Sequence, residues 1–387
     1  MTRQRILYVL GTPPNFLKVA PLIAALRRRL PHLRHVLVNT DTDNDPGLSD
    51  LLHEVLDVPQ PNYLLGPGTG GPAGQTAFLM GRLERVIDLE QPDLVILPGD
   101  GDSTLAATLA AVKLGVPTAH VESGLRSFDR NSPDEVNRIV ADQLADLRFA
   151  HSDDAVRHLL GQGIAPDRVH LVGNTKVDAL IALEERFREL GTARRFGLEP
   201  GGYLLVALYG SPLLDRPIFW DILDHLKLIS RELPVLFPVS FAARRRLEAH
   251  RAPRAIHLVD QPGYLDLLSL QADSAAVLTD VGEVQEEASY LGVPCFTLRG
   301  ATERRLTLER GTNTLLGSDP SRIPDILPAL QGERPSFELP PLWEGHASER
   351  AANVVAGVLE PGQPPDAVEP RTVEPFRGTL HPLQTGE

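Results

Sequence analysis

His120–Arg138, HVESGLRSFDRNSPDEVNR, decides how the rest of the chain is read. It continues the apolar strand pattern VPTAH and gathers Glu122, Arg126, Asp129, Asp134, Glu135 and Arg138 around Gly124 and Pro133. A strand running into such a loop, and then into a helix that opens Ser132-Pro133-Asp134-Glu135, sets carboxylates and guanidiniums at the carboxyl edge of a sheet. Open α/β folds hold their ligands there. Local rules also allow a plainer reading. Ser132 serves as an N-cap, Pro133 as the first helical residue, and Asp134 and Glu135 as first-turn acids favoured by the helix dipole. Capping accounts for neither the two arginines nor the Glu-Ser-Gly turn.

Outward from this stretch, short apolar runs alternate with amphipathic ones. RILYVL, RHVLVN, DLVILPGD, PTAHVE, LRFAHS and VHLVG read as strands between helical segments that include helices near 47–57 and 74–90. The segment TARRFGLEPGG breaks the pattern, and a second alternation follows: YLLVALYG, a helix near 217–232, PVLFPVS, a helix near 242–250, AIHLVD, AAVLTD, PCFTLR and a helix near 320–331. Such alternation indicates parallel sheets covered on both faces. The expected fold is α/β with two Rossmann-like domains and parallel sheets facing a central cleft. The domains span 1–190 and 191–346, followed by a closing helix over 347–360 and a Pro- and Gly-rich tail over 361–387 expected to be poorly ordered.

Among 387 residues, Lys+Arg 38 against Asp+Glu 51 gives a formal net charge of -13, which opposes unspecific binding to nucleic acid or to an anionic membrane. Neither is expected as a partner. The single cysteine, Cys295, lies in the apolar run GVPCFTL and reads as a buried, inert thiol. Met1-Thr2-Arg3 leads straight into RILYVLGT without a signal-peptide core, and no run has the length of a membrane span, so a cytoplasmic location is expected. No Cys/His spacing of the metal-binding kind is present.

The chemistry-bearing motifs fall at strand ends. Gly11-Thr12-Pro13-Pro14-Asn15 follows the first strand and leads to a helix carrying Lys18; it lacks the G-x-G-x-x-G fingerprint, so no nicotinamide or flavin cofactor is expected. The amides of such a turn can still bind an anion. In Pro98–Thr104, Asp100 ends a strand and Ser103 is placed to cap the next helix; taken alone, the segment serves a structural turn as well as a catalytic carboxylate. With Glu122 and Asp134, Asp100 forms a set of acids at adjacent strand ends, suited to moving protons on a sugar carbon. In Thr279–Glu287, TDVGEVQEE, a helix N-terminus with an acid further along suits a phosphate and a ribose diol, although Glu286 and Glu287 equally fit solvated helix charges.

Several of these motifs together resemble the non-hydrolysing UDP-N-acetylglucosamine 2-epimerases, a family with the glycosyltransferase-B fold. HVESGLRS is similar to the family's HVEAGLRS, PDEVNR to PEEANR, GNTKVDAL to GxTxVDAL, TDVGEVQEE to TDSGGxQEE, ATERR to TERPE, and EGHASERAANVV to the closing DGxASxRI helix. The resemblance implies interconversion of UDP-GlcNAc and UDP-ManNAc through loss and return of UDP, without a cofactor, in a homodimer. By position it implies Asp100, Glu122 and Asp134 as catalytic acids beside Arg138. Lys18, Arg126, Gly282, Glu287 and Arg304 fall on the substrate side, with Glu287 at the ribose. The chain departs from the family at Pro13 and Asn15, where GTRPE has become GTPPN, and at Tyr209 and Ser240, which stand for histidines. It departs again at Val281 and Glu283 in the phosphate turn. Charged hydrogen bonds to phosphate are worth about 1.5–3 kcal/mol each. Losing them while Glu283 adds a negative charge is expected to weaken UDP binding. Two alternatives to an active epimerase therefore stand beside it: a non-catalytic homologue with a binding or structural role, and a glycosyltransferase acting on another nucleotide sugar.

Overall fold

The computed structural model describes residues 4–41, 51–68, 70–208, 218–239, 256–332 and 337–361. Within them the chain divides into two compact units, one running to Ala182 and resuming at Pro341, the other spanning Leu183–Pro340.

The first unit is built on a seven-stranded sheet: β1 (Arg5–Leu10), β2 (Arg34–Asn39), β3 (Tyr63–Leu64), β4 (Leu94–Pro98), β5 (Thr118–Ser123), β6 (Leu147–Ala150) and β7 (Val169–Leu171). The order is β3-β2-β1-β4-β5-β6-β7, every pair parallel. Helices α1 (Pro13–Arg29), α2 (Pro72–Glu90), α3 (Asp102–Lys113), α4 (Pro133–Leu144), α5 (Asp153–Gly161) and α6 (Thr175–Leu190) alternate with the strands. All five residues of β4 are buried, as a central parallel strand covered on both faces requires. Its Val95 and Leu97 pack with Leu7 and Val9 of β1 and with the alanines of α3. The chain winds outward from β1 to β3, returns to β4 on the other side of β1, and continues to β7. This reversal leaves Gly11 and Gly99-Asp100 at a switch point between β1 and β4, the usual place for a ligand crevice.

The second unit repeats the plan with α7 (Thr192–Arg195), β8 (Leu204–Ala207), α8 (Ile218–Ile229), β9 (Val235–Val239), β10 (Ile256–Asp260), α9 (Tyr264–Ala272), β11 (Ala276–Thr279), α10 (Gly282–Leu291), β12 (Cys295–Thr297), α11 (Arg305–Glu309), β13 (Asn313–Leu315) and α12 (Ile326–Gln331). Its parallel order is β10-β9-β8-β11-β12-β13. The winding reverses between β8 and β11, where the Thr279 hydroxyl donates to the Ala207 carbonyl at 2.8 Å. Cys295 is buried beneath, and burial pushes its thiol up to about 12.

The chain returns to the first unit through α13 (Ala347–Leu359). Its buried face of Ala347, Ala351, Ala352 and Val355 packs against α1. His346 makes no side-chain cap. Asp178 of α6 caps the helix instead, accepting the Ser348 amide at 2.7 Å and the Ala347 amide at 3.3 Å. Burial outweighs these amides and pushes the Asp178 carboxyl up to about 6.

The element expectations differ from the structure in a few places. Of the helix expected near 47–57, the described residues form a wide turn over Leu51–Val55, and 47–50 lie outside the described residues. The break at TARRFGLEPGG contains α7, tied down by the Thr192 hydroxyl on Asp266 at 2.8 Å. The segment near 320–331 begins as a 3-10 turn over Pro320–Asp325, where Pro324 interrupts regular helical bonding. The helix near 242–250 and the tail beyond 361 lie outside the described residues.

Candidate active site

The end of β5 turns sharply. Glu122 has φ +67°, and the pairing of β5 with β6 shifts register between Val121 and Ser123. The irregularity carries the Glu122 carboxylate to Lys18 of α1, whose Nζ lies 2.7 Å from Oε2, with both side chains almost fully buried. Next door, β4 runs into Gly99 at φ +72°, where an added Cβ would stand 2.8 Å from Asn15 Oδ1 and 3.4 Å from Lys18 Nζ. Asn15 and Lys18 therefore sit directly against the turn that presents Asp100.

Helix α4 secures the second acid. Arg138 pairs with Asp100 and, through Nη2 at 3.0 Å and Nε at 3.2 Å, with Glu135. Glu135 also accepts the Ser127 and Phe128 amides at 2.9 and 3.1 Å. Burial raises the Glu135 carboxyl, but the Ser127 amide and the Arg138 guanidinium outweigh it and hold it below its ordinary value. The Asp100 side chain is 32% exposed, while that of Arg138 is 4% exposed. Asp134 lies exposed on the first turn of α4.

Behind these groups lies a buried polar layer. His120 Nδ1 is 2.7 Å from Asp142 Oδ1, and its Nε2 is 2.8 Å from the Gly99 carbonyl. Asp142 Oδ2 accepts the Gly124 amide at 3.0 Å and pairs with Arg126 Nη1 at 2.6 Å. Burial pushes the Asp142 carboxyl up, yet His120 and then Arg126 prevail and hold it below the usual range. Arg126 also donates to the Leu125 carbonyl and to Gln162, and is 1% exposed. The structure thus places Arg126 within the framework under the turn.

Two capping expectations are corrected. Ser132 holds the N-cap position of α4 but makes no side-chain bond there, and the Glu135 carboxylate turns back to the Ser127 and Phe128 amides. Ser103 does not cap α3, which starts at Asp102 after Gly101. The anion site expected at Gly11–Asn15 also meets an obstacle: α1 opens with Pro13 and Pro14, which carry no N–H, and the Asn15 amide is bonded to the Thr12 carbonyl.

In the second unit, Glu287 is 2% exposed and accepts the Tyr264 hydroxyl at 2.9 Å and Gln271 Nε2 at 2.7 Å. Burial, reinforced by Glu287, pushes the Tyr264 hydroxyl well above its ordinary range, so it remains a donor. Gly282 begins α10 where a Cβ would collide with Glu303 Oε1 at 2.6 Å. Arg304 is 2% exposed, with Nη1 2.8 Å from Glu286 Oε1, Nη2 3.7 Å from Glu283 Oε1 and Nε 3.7 Å from Glu303 Oε1. The negative charge of Glu283 is therefore set against a guanidinium within the same unit. Val281 precedes α10 without capping it. Tyr209 and Ser240 lie outside the described residues.

Sequence reading singled out Asp100, Glu122, Arg138 and Lys18, which the structure joins as two ion pairs on neighbouring strand ends. It missed Asp142, Tyr264 and Gln271. Only Asp142 carries a local signal, standing four residues after Arg138 and hence on the same face of α4. Among the described residues no group of three or more His, Cys, Asp and Glu is arranged to hold a metal ion, and no helix is long and apolar enough to cross a membrane.

Comparison with known proteins places this geometry in a family. Residues 25–356 match the family model described as UDP-N-acetylglucosamine 2-epimerase. A relative called UDP-N-acetylglucosamine 2-epimerase from Methanococcus maripaludis is 31% identical over 365 residues, covering 91% of this chain and 98% of the relative. A UDP-2,3-diacetamido-2,3-dideoxy-D-glucuronate 2-epimerase from Pseudomonas aeruginosa is 31% identical, with 91% and 99% covered. Among solved structures, the UDP-GlcNAc 2-epimerase of Methanocaldococcus jannaschii in complex with UDP-GlcNAc and UDP superposes with a TM-score of 0.83 at 30% identity, covering 91% of this chain and 99% of that one. These relatives lend the non-catalytic reading no support. With the family model spanning most of the chain and both sheets in the expected parallel form, the protein belongs to the UDP-N-acetylglucosamine 2-epimerase family.

Proposed function

We propose that the protein is a nucleotide-sugar 2-epimerase that interconverts UDP-N-acetylglucosamine and UDP-N-acetylmannosamine. The observation that carries this reading is the pair of acids on adjacent strand ends, Asp100 and Glu122, each held by a cation from a helix, Arg138 and Lys18. In the reaction a base takes the sugar C2 proton, the C2–H electrons form the C1=C2 bond, and the C1–O electrons leave with UDP. A proton then returns to the opposite face of C2 and the UDP oxygen rejoins C1. The sequence is redox-neutral and needs no cofactor.

Asp100 is the better exposed of the two paired acids, and Asp134 is exposed on α4; they supply the proton-carrying carboxylates. Glu122, fixed by Lys18, supplies an oriented negative charge and hydrogen-bond acceptor beside them. On the nucleotide side, Glu287 is oriented by the Tyr264 hydroxyl and Gln271 Nε2, and its carboxylate accepts the ribose diol in this reading. The protein works as a cytoplasmic homodimer in this reading. Pro13, Val281 and Glu283 make its hold on the diphosphate weaker than a basic turn would, so a high KM is expected.

Incubating the purified protein with UDP-N-acetylglucosamine in deuterated water tests the proposal. C2–H exchange and UDP-N-acetylmannosamine are expected, with Glu122→Gln and Asp100→Asn each slowing both by about 100-fold or more. Absence of exchange and of product overturns it. Running UDP-2,3-diacetamido-2,3-dideoxy-D-glucuronate alongside identifies which sugar the site prefers.

A further inference from the structure

One carboxylate that is separate from the proposed proton carriers holds the backbone of both strand-end acids. Asp142 is completely buried on α4, one turn beyond Arg138. Its three partners are His120, Gly124 and Arg126, at 2.7, 3.0 and 2.6 Å. They stand two residues before Glu122 and two and four residues after it, so a single side chain brackets that acid. Glu122 itself occupies the left-handed region at φ +67°. An L residue stays there only where its surroundings over-determine the backbone. The hold extends to the neighbouring strand, because His120 Nε2 reaches the carbonyl of Gly99, the residue before Asp100. Both ring nitrogens of His120 thus face oxygens, one of Asp142 and one of Gly99, so the ring bridges the two strand ends.

Helix α4 is anchored so that the bracket has something rigid behind it. Arg148 of β6 donates to the carbonyls of Asp142 at 2.5 Å and Gln143 at 3.1 Å, at the carboxyl end of the helix. Glu135 ties the amino end to Ser127 and Phe128.

We propose that Asp142 is a positioning residue of the epimerase site: through Gly124, Arg126 and His120 it sets the Glu122 turn, and through His120 it sets the Gly99-Asp100 turn. The two acids then keep one mutual geometry. The inference rests on the epimerase reading given above. An asparagine at 142 occupies the same volume but offers only one acceptor oxygen, so its amide NH2 meets a donor on one side of the bracket. The displacement falls on Glu122. Misplacing a reacting group by about 1 Å costs roughly 100-fold in rate.

The experiment compares wild type, Asp142→Asn and His120→Asn by melting temperature, kcat, KM, C2–H exchange and crystal structure. For folded Asp142→Asn, kcat is expected to fall about 100-fold with KM held within about threefold, exchange and epimerisation falling together. A kcat within about threefold of wild type overturns the proposal. Should Asp142→Asn fail to fold, His120→Asn carries the test. It leaves Asp142 its bonds to Gly124 and Arg126 and cuts the reach to Gly99, and a drop of about 10-fold in kcat at unchanged KM is expected; an unchanged kcat overturns the proposal. If wild type shows no turnover, the epimerase reading has failed, and the crystal structures decide the bracket separately. Loss of the Lys18–Glu122 ion pair in the variant supports it, and an unmoved pair overturns it.

Discussion

At Gly124 the backbone takes φ +85°, and an added Cβ would stand 2.4 Å from the Ala155 carbonyl oxygen and within 2.9 Å of two more backbone atoms. Backbone atoms of a neighbouring helix cannot swing aside as a flexible side chain can. Gly124→Ala is therefore expected to destabilise the first unit by about 3 kcal/mol, combining left-handed strain with overpacking. Urea denaturation measures it, and a loss under about 1 kcal/mol would mean that the turn relaxes freely. The same residue shows how far single positions can be read from sequence. Gly in HVESGLRS marks a turn, and Lys, Glu, Asp and Arg mark polar chemistry. Which carboxylate meets which cation depends on side chains 38 positions apart for Arg138 with Asp100, and on a helix and a distant strand for Lys18 with Glu122. Arg126 illustrates the other outcome. Its motif matches a substrate-side position, yet its guanidinium is spent on Asp142, Leu125 and Gln162.

At the scale of elements, α13 depends on a cap supplied from another helix. Asp178 holds its first amides while buried, and its carboxyl is pushed from 3.8 to about 6. A folded-state value above the unfolded one means that the native protein binds the proton more tightly. Stability from this group is thus fully present below about pH 4 and is lost as pH rises through about 6. Relative to Asp178→Asn, wild type is expected to lose on the order of 2–3 kcal/mol between pH 4 and pH 7, since each pKa unit corresponds to about 1.4 kcal/mol. Denaturant midpoints of the two proteins across that window check the slope. A difference that stays flat would remove Asp178 as its source. The elements themselves are largely legible in sequence, because buried parallel strands demand unbroken apolar runs such as LVILP. Their caps are less so: Gly101 rather than Ser103 holds the N-cap position of α3, and Ser132 holds that of α4 without a side-chain bond.

For the molecule as a whole, a chain of net charge -13 binds a nucleotide diphosphate only through local donors. On the proposed function, UDP stabilises the folded protein by mass action, by about 2.7 kcal/mol at a hundredfold excess over its Kd. Thermal unfolding with increasing UDP is expected to show a melting temperature that rises and keeps rising with concentration into the millimolar range. No rise at millimolar UDP would count against a nucleotide-sugar ligand. Glu283→Gly is expected to move that response to lower UDP by removing a carboxylate from the start of α10, although Arg304 already offsets part of its charge. Sequence alone determined the α/β class, the two parallel sheets, the family and the strand ends that carry acids. Periodicity and turn residues are local properties, and they repeat along the chain in a form that can be read in order. Tertiary structure alone decided that Lys18 neutralises Glu122, that Arg138 links Asp100 to Glu135, that Asp142 brackets the Glu122 turn, and that Arg304 meets Glu283. Those pairings are set by which strands lie side by side at the reversal of each sheet and by the burial that makes an unpaired charge costly, and neither is a property of any single stretch of sequence.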